Sequence, residues 1–251
     1  MEISLNKYVS DSGFCSRRDA DKFIEQGRVS INKITADKGN RVKPGDTVEV
    51  DGERIKSKAR VQTVYIAFNK PKGITSTTDT KDKNNLIDFI RFPSRIFPIG
   101  RLDKLSDGLI FLTNDGDIVN KILRAGNNHE KEYLVSLDQD ITSVFIDKMK
   151  NGVRILNTVT KKCAVEQVGK NAFKIILKEG LNRQIRRMCE TLGFRVKTLT
   201  RIRIMNISLK GIAPGKWRYF TQEEIKAMQA MVANSSKTEE ASVWKDGGMD
   251  E

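Results

Sequence analysis

Histidine is almost absent: the 251 residues contain one, His129. A multi-histidine metal site is therefore excluded, and no Ser–His–Asp triad can be argued. Cysteine is equally sparse. Cys15, Cys163 and Cys189 are odd in number and far apart, which gives neither a disulfide framework nor zinc-ligand spacing. Reduced, incidental thiols are expected. The sequence has no GxxxxGK[ST] phosphate loop and no GxGxxG fingerprint. An enzyme of this composition works with carboxylate, Tyr, Lys or Arg, and without a metal or a nucleotide cofactor. No apolar run is long enough to span a bilayer and no stretch reads as a signal peptide, so a cytoplasmic protein with no membrane partner is expected.

What is plentiful is positive charge. The net charge is +13, and it is unevenly spread. Residues 231–251 hold two Lys against five acids, which leaves +16 on the first 230 residues. Such an excess favours a polyanionic partner, most simply nucleic acid. The length suits one large domain or two smaller ones, and an apolar content of 38% supports a sizeable core.

Along the chain, Leu5, Tyr8 and Val9 have helical spacing, closed by Ser12-Gly13. Ser16 is placed to cap a second helix, with Asp19 in its first turn and Gly27 at its end. Arg17, Arg18 and Lys22 fall on the polar side of that helix. Val29-Ser30-Ile31 and Val48 to Val50 read as strands joined through turns. Glu53 to Arg60 reads as a polar linker. Beyond it, Val64 to Phe68 is a strand, Asn69 to Gly73 a turn, and Thr75 to Asn85 a polar loop before a short helix at Leu86 to Ile90. Thr142 and the pair Thr221 and Glu224 mark two later helix starts. Strands and helices alternate without a βαβ rhythm, which predicts an α+β fold. Residues 233–251 are polar and read as a disordered tail.

Two stretches stand out as chemistry. The first is Pro98-Ile99-Gly100-Arg101-Leu102-Asp103-Lys104-Leu105-Ser106-Asp107-Gly108, a polar loop framed by glycines before the apolar strand Leu109 to Leu112. It offers two carboxylates, Asp103 and Asp107, on what should be a rigid frame. The second runs from Gly180 to Arg203, with seven Lys or Arg against one acid, Glu190. Ile185, Met188, Cys189 and Leu192 form the apolar face of a helix opening at Leu181. Arg183, Arg186, Arg187 and Glu190 have the same spacing on its other face. An arginine stripe on a packed helix suits phosphate or carboxylate. Arg201-Ile202-Arg203-Ile204 then alternates, predicting one charged strand face.

Leu5-Asn6-Lys7-Tyr8-Val9, Ser16-Arg17-Arg18-Asp19-Ala20 and Gly27-Arg28-Val29-Ser30-Ile31-Asn32 resemble an S4 RNA-binding domain. Gly100-Arg101-Leu102-Asp103, Lys131-Glu132-Tyr133 and Asn182-Arg183-Gln184-Ile185-Arg186-Arg187-Met188 resemble, in the same order, the pseudouridine synthases of the RsuA/RluB/RluE/RluF group. The resemblance implies an S4 (α-L) domain with its linker over residues 1–60 and a mixed, mainly antiparallel-sheet catalytic domain over 61–232. It implies isomerisation of a uridine in 23S rRNA to pseudouridine, without a cofactor, by a monomer acting on the rRNA or a large-subunit assembly intermediate. A tRNA substrate is the alternative, as is a non-catalytic rRNA-binding protein. By the same resemblance, Asp103 attacks the sugar or takes its C2′ proton, and Tyr133 stacks on the uracil. Arg186 pairs with Asp103, and Arg101 assists base flipping. Arg17, Arg18, Lys22, Arg183 and Arg187 then contact RNA. Only the resemblance selects Asp103 over Asp107.

Overall fold

The structure is a computed structural model that describes residues 2–55 and 62–235. The chain divides into two compact units between Thr63 and Val64.

In the first unit, β1 (Ile3–Ser4) leads into α1 (Leu5–Asp11), and α2 (Arg17–Glu25) follows. Ser16 caps α2: its Oγ accepts from the Asp19 amide at 3.1 Å and donates to the Asp19 carboxylate at 2.7 Å. β4 (Arg41–Val42) pairs with β1. A separate four-stranded sheet has the order β3 (Ile34–Thr35), β2 (Val29–Ile31), β5 (Val48–Val50), β6 (Glu53–Ile55). Leu5, Val9, Ala20, Ile24, Val29, Val48 and Val50 form the core between helices and sheet. The expected linker begins later than the composition suggested. Asp51 and Gly52 both have positive φ, which makes a tight Asp-Gly hairpin, and Glu53–Ile55 pairs back on β5. Residues 56–61 and the expected tail from 236 onward lie outside the described residues.

The second unit is built on a mixed sheet. Its path runs β13 (Ala164–Gly169), β14 (Ala172–Leu177), β10 (Lys131–Leu137), β15 (Val196–Ile204), β9 (Asp107–Thr113), β7 (Tyr65–Lys70), β17 (Trp217–Tyr219). β8 (Phe97–Ile99) pairs with β9 and β16 (Ile207–Ser208) with β15, while β11 (Arg154–Ile155) and β12 (Thr158–Val159) form a separate hairpin. The pairings are antiparallel except that of β15 with β9. The period of two along β9 sorts the core. Leu109 and Phe111 face α4 (Gly116–Leu123) and α7 (Gln222–Val232). Ile110 and Leu112 face the opposite side, with Leu86 of α3 (Leu86–Ile90) and Leu102. α5 (Ser143–Asn151) and α6 (Gln184–Thr191) cover the other half of the sheet through Phe145, Met149, Ile185 and Met188. The box predicted at Thr221 and Glu224 caps α7 reciprocally.

Three expectations are corrected. β7 runs to Lys70 instead of ending at Phe68, so Asn69 and Lys70 are buried strand residues and the turn starts at Pro71. Lys161 to Val165 also reads as a strand in the sequence, but the strand begins only at Ala164. α6 starts at Gln184, after Arg183 in the left-handed region at φ 47°. The Gln184 side chain holds that start by accepting from the Leu181 amide at 3.1 Å and donating to Glu179 at 2.8 Å.

Candidate active site

The loop from Gly100 to Ser106 is held at nearly every step. Gly100 has φ +80°, and a Cβ there would sit 2.8 Å from the Leu123 side chain. The Arg101 carbonyl accepts from Arg201 Nη1 at 3.5 Å. Leu102 is gripped at both ends by one side chain. Its amide donates to Ser76 Oγ at 3.1 Å, and its carbonyl accepts from that hydroxyl at 2.8 Å. The Asp103 carbonyl accepts from the Ser106 amide at 3.0 Å and closes a tight turn. The Lys104 carbonyl accepts from the Gly73 amide at 2.8 Å. Arg186 Nη2 donates to the Leu105 carbonyl and to Ser106 Oγ, both at 3.3 Å. The backbone of this turn is therefore fixed from three directions: the segment after β7, α6 and β15.

The two candidate carboxylates differ within this frame. Asp107 is engaged, accepting a short hydrogen bond from Thr200 Oγ1 and lying 3.9 Å from Lys72 Nζ. Among the described residues, the Asp103 side chain makes neither a hydrogen bond nor an ion pair. It is half-buried, at the corner of a turn whose other polar groups are largely taken.

Buried cations surround the turn. Lys70 is fully buried, donating to the carbonyls of Pro71 and Ile74 at 2.9 Å each. Burial lowers its pKa to about 8 against the raising pull of Asp107; Arg201 lowers it further, and Asp103 raises it. Lys131, also buried, falls to about 8 through burial and then the charge of Arg201. Burial lowers the pKa of Arg186 too, and Asp103 opposes that change. The direct pair between Arg186 and Asp103 that the resemblance implied is not formed among the described residues; Arg186 donates instead to the Leu105 carbonyl and Ser106 Oγ. Nor does Arg186 lie on an exposed stripe: it is 7% exposed and turned inward, while Arg183 is exposed and Arg187 folds back on Asn182 at 3.1–3.2 Å. Arg186 Nε and Arg201 Nη2 are buried with no hydrogen-bond partner among the described residues.

Tyr133 sits on β10 where the register with β15 shifts, so that Glu132 opposes Arg203 and Tyr133 opposes Arg201. Its ring packs partly against two core clusters, and the Arg201 guanidinium carbon lies 6.0 Å from the ring centroid. The predicted charged face of β15 is corrected accordingly. Arg201 is buried, donating to the Leu109 carbonyl at 2.6 Å, and Arg203 is paired with Glu132 and Glu130 at 2.7 and 3.1 Å. Arg101 is an exposed side chain on the same turn. Arg17, Arg18 and Lys22 are exposed on α2 of the first unit.

Lys70, Ser76 and Ser106 were not among the site residues expected from the sequence, and Arg201 entered only as one position of a charged strand face. One signal was available. Proline is confined to strand ends and edges, so Pro71 sets a limit to the strand from Val64 that leaves room for Asn69 and Lys70 inside it.

Comparison with known proteins agrees with this architecture. Residues 4–48 match the S4 domain family, and residues 64–191 match the RNA pseudouridylate synthase family. The dual-specificity RNA pseudouridine synthase RluF of Escherichia coli K12 is 56% identical over 234 residues, covering 93% of this chain and 81% of that protein. The ribosomal large subunit pseudouridine synthase B of Bacillus subtilis is 32% identical over 236 residues, covering 90% of this chain and 96% of that protein. A crystal structure of a pseudouridylate synthase superposes with a TM-score of 0.66 at 26% identity, covering 90% of this chain and 99% of that one. An S4 domain followed by a synthase domain, with these relatives spanning both, makes the chain a member of the RNA pseudouridine synthase family, within the RsuA/RluB/RluE/RluF group.

Proposed function

We propose that this RNA pseudouridine synthase isomerises a uridine in 23S rRNA, as free RNA or within a large-subunit assembly intermediate, with Asp103 acting on the sugar. The observation that carries the reading is the contrast between the two carboxylates. Asp107 is committed to Thr200 and Lys72, whereas Asp103 is unengaged on a backbone held by Ser76, Gly73, Arg186 and Arg201. A reactive group gains most from a frame that fixes its position while leaving its own lone pairs free.

The reaction conserves atoms. The N1–C1′ bond breaks, the uracil turns, a C5–C1′ bond forms, and N1 ends with a proton while C5 loses one. Asp103 serves either by attacking C1′ or by taking the C2′ proton. The target nucleotide first leaves its stack, at a cost of a few kcal/mol. Tyr133, wedged between two core clusters, offers a fixed ring that offsets part of this cost. Arg186 and Lys70 supply buried positive charge around the carboxylate, Arg101 is assigned to flipping the target nucleotide, and Arg183 and Arg187 are assigned to RNA contact. Arg17, Arg18 and Lys22 give the S4 domain a basic helix face for structured RNA. The RluF relative is named as dual-specific, and a second structured RNA such as a tRNA is proposed here on the same ground.

The test uses unmodified 23S rRNA and tRNA transcripts with wild type, Asp103→Asn and Asp107→Asn, mapping pseudouridine by carbodiimide-stop primer extension. The expected result is a stop with wild type, none with Asp103→Asn despite retained RNA binding, and a reduced stop with Asp107→Asn. Substantial turnover by Asp103→Asn would remove Asp103 from the mechanism.

A further inference from the structure

The sheet edge farthest from β13 is β17, which among the described residues pairs only with β7. Sheet edges are usually blunted by charge, proline or cover. This one presents aromatic side chains. Trp217 and Tyr219, two residues apart on one face, are 37% and 53% exposed, with ring centroids 5.4 Å apart. Phe92 completes the group at 5.6 Å from Trp217 and 6.4 Å from Tyr219. Phe89 is 43% exposed and packs beside Gly215, the start of the same strand's approach. An exposed group of large rings of this kind marks an interaction surface more often than an accident of folding.

The register places the group relative to the catalytic turn. Trp217 opposes Phe68 and Tyr219 opposes Ile66, and directly opposed residues share a sheet face. Phe68 and Ile66 belong to the cluster that contains Leu102 and touches Tyr133. The aromatic group therefore lies on the sheet face that carries the neighbour of Asp103, beyond α3. Arg218, on the alternate face, is locked bidentate to Glu224 at 2.7 Å, which fixes the strand.

The surrounding charge indicates the occupant. Arg91 and Lys216 are exposed beside Phe92 and Trp217, and neither makes an ion pair among the described residues. Arg91 has φ 50°, and its backbone N–H donates to the Ile87 carbonyl at 2.9 Å. Together with Phe89 it lines a cavity of about 510 Å³, next to Lys83 and Asn84. Asp88, the acid in that cavity, is taken up by the Asn85 amide at 2.6 Å. Rings interleaved with free cations suit successive bases and their phosphates, because every base offers a π-face and every linkage a negative charge. A hydrophobic protein segment would leave the cations without partners.

We propose that Phe92, Trp217 and Tyr219, with Arg91 and Lys216, form a stacking platform for unpaired nucleotides of the substrate RNA outside the catalytic cleft. The proposal rests on an RNA substrate and leaves the identity of the modified uridine open. The platform sets affinity and approach, not chemistry, so its loss acts on KM.

The experiment compares the full chain with Trp217→Leu/Tyr219→Leu, which removes π-faces and keeps apolar cover, and with Trp217→Phe/Tyr219→Phe, which keeps rings. Circular dichroism checks the fold of both. Binding of a structured 23S rRNA fragment is measured in an Asp103→Asn background, and kcat and KM in the active one. The Leu variant is expected to weaken Kd about 10- to 100-fold, since one to two stacked bases are lost, and to raise KM with kcat kept. The Phe variant is expected to recover most of the affinity. Arg91→Gln/Lys216→Gln should lower the salt slope of binding by about 1 to 2. Quenching of Trp217 fluorescence by a short oligouridylate, in a Trp244→Phe background, reports stacking directly. Unchanged Kd and KM in the Leu variant, or equal loss in the Leu and Phe variants, overturns the proposal; the first of these leaves the face to a protein contact. Absence of any pseudouridine product with intact platform-dependent binding would instead count against the assigned reaction and leave the platform standing.

Discussion

Gly108→Ala tests whether the parallel seam between β9 and β15 sets the position of the turn that carries Asp103. Gly108 opposes Arg201 in that seam. It has φ +105°, and an added Cβ would collide with the Arg201 carbonyl oxygen and lie 2.7 Å from the Arg201 nitrogen. Two costs combine. The backbone conformation itself disfavours a side chain by about 1–2 kcal/mol, and overpacking against backbone adds about 1–3 kcal/mol. Gly211→Ala separates them, because Gly211 has φ +79° with nothing within 4 Å, so it bears only the first cost. At roughly 2–4 °C per kcal/mol for a unit of this size, Gly108→Ala should lower the melting temperature of the synthase unit by about 4–20 °C. Gly211→Ala should lower it by about 2–8 °C. Thermal unfolding followed by circular dichroism measures both. Turnover on the rRNA transcript should separate the variants further. If the seam opens, Arg201 shifts from the carbonyls of Arg101 and Leu109, and a displacement near 1 Å at a reacting group costs about 100-fold. Equal melting temperatures for the two variants, with wild-type turnover in Gly108→Ala, would refute the claim that the seam is tight and positions the turn.

Three further outcomes follow from the same geometry. Ser76→Ala leaves the buried Leu102 amide and carbonyl without their shared partner, at about 1–3 kcal/mol; kcat is expected to fall at least 10-fold with KM little changed, whereas a change confined to KM would assign Ser76 to RNA binding. Lys70 has a folded pKa of about 8 against an ordinary 10.5, so the unfolded chain holds more protons between those values and wild-type stability rises with pH across that window. Relative to Lys70→Met, denaturant titrations should show a gain of up to about 3 kcal/mol from pH 7 to 10.5, and parallel curves would mean that Lys70 is not desolvated. Arg201→Lys cannot reach both the Leu109 and Arg101 carbonyls with one ammonium, so turnover should drop by about 100-fold while RNA binding persists; wild-type turnover would show that the guanidinium fork is dispensable.

Local signals in the sequence were read correctly where the partner is also local. Ser16 with Asp19 and Thr221 with Glu224 cap helices three residues away, and the Leu109 to Leu112 run forms the buried strand it suggested. What the sequence did not convey depends on distant partners. Ser76 meets Leu102 across 26 positions and Arg186 meets Ser106 across 80. Lys70 looks like a surface turn residue because a lysine's character is charge, yet carbonyls of Pro71 and Ile74 take its ammonium inside the fold. Arg186 shared the helical spacing of Arg183 and Arg187, and spacing alone cannot tell which of three arginines a neighbouring turn will draw inward. The strand at Glu53–Ile55 was hidden by its polarity, although Asp51-Gly52 is a hairpin signal that outweighs composition.

The parallel seam also dictates when the enzyme becomes competent during its own synthesis. Asp107 meets Thr200 across 93 positions, Arg201 meets Leu109 across 92, and Arg186 meets Leu105 across 81. Contacts this remote in sequence form late and slow the approach to the native state. A ribosome that has released the chain only through β10 has delivered Asp103 and Tyr133 but none of the arginines that hold the turn. The nascent protein thus carries Asp103 on a turn held only by Ser76 and Gly73, and the arginine contacts that complete its frame arrive together with the final strands of the sheet.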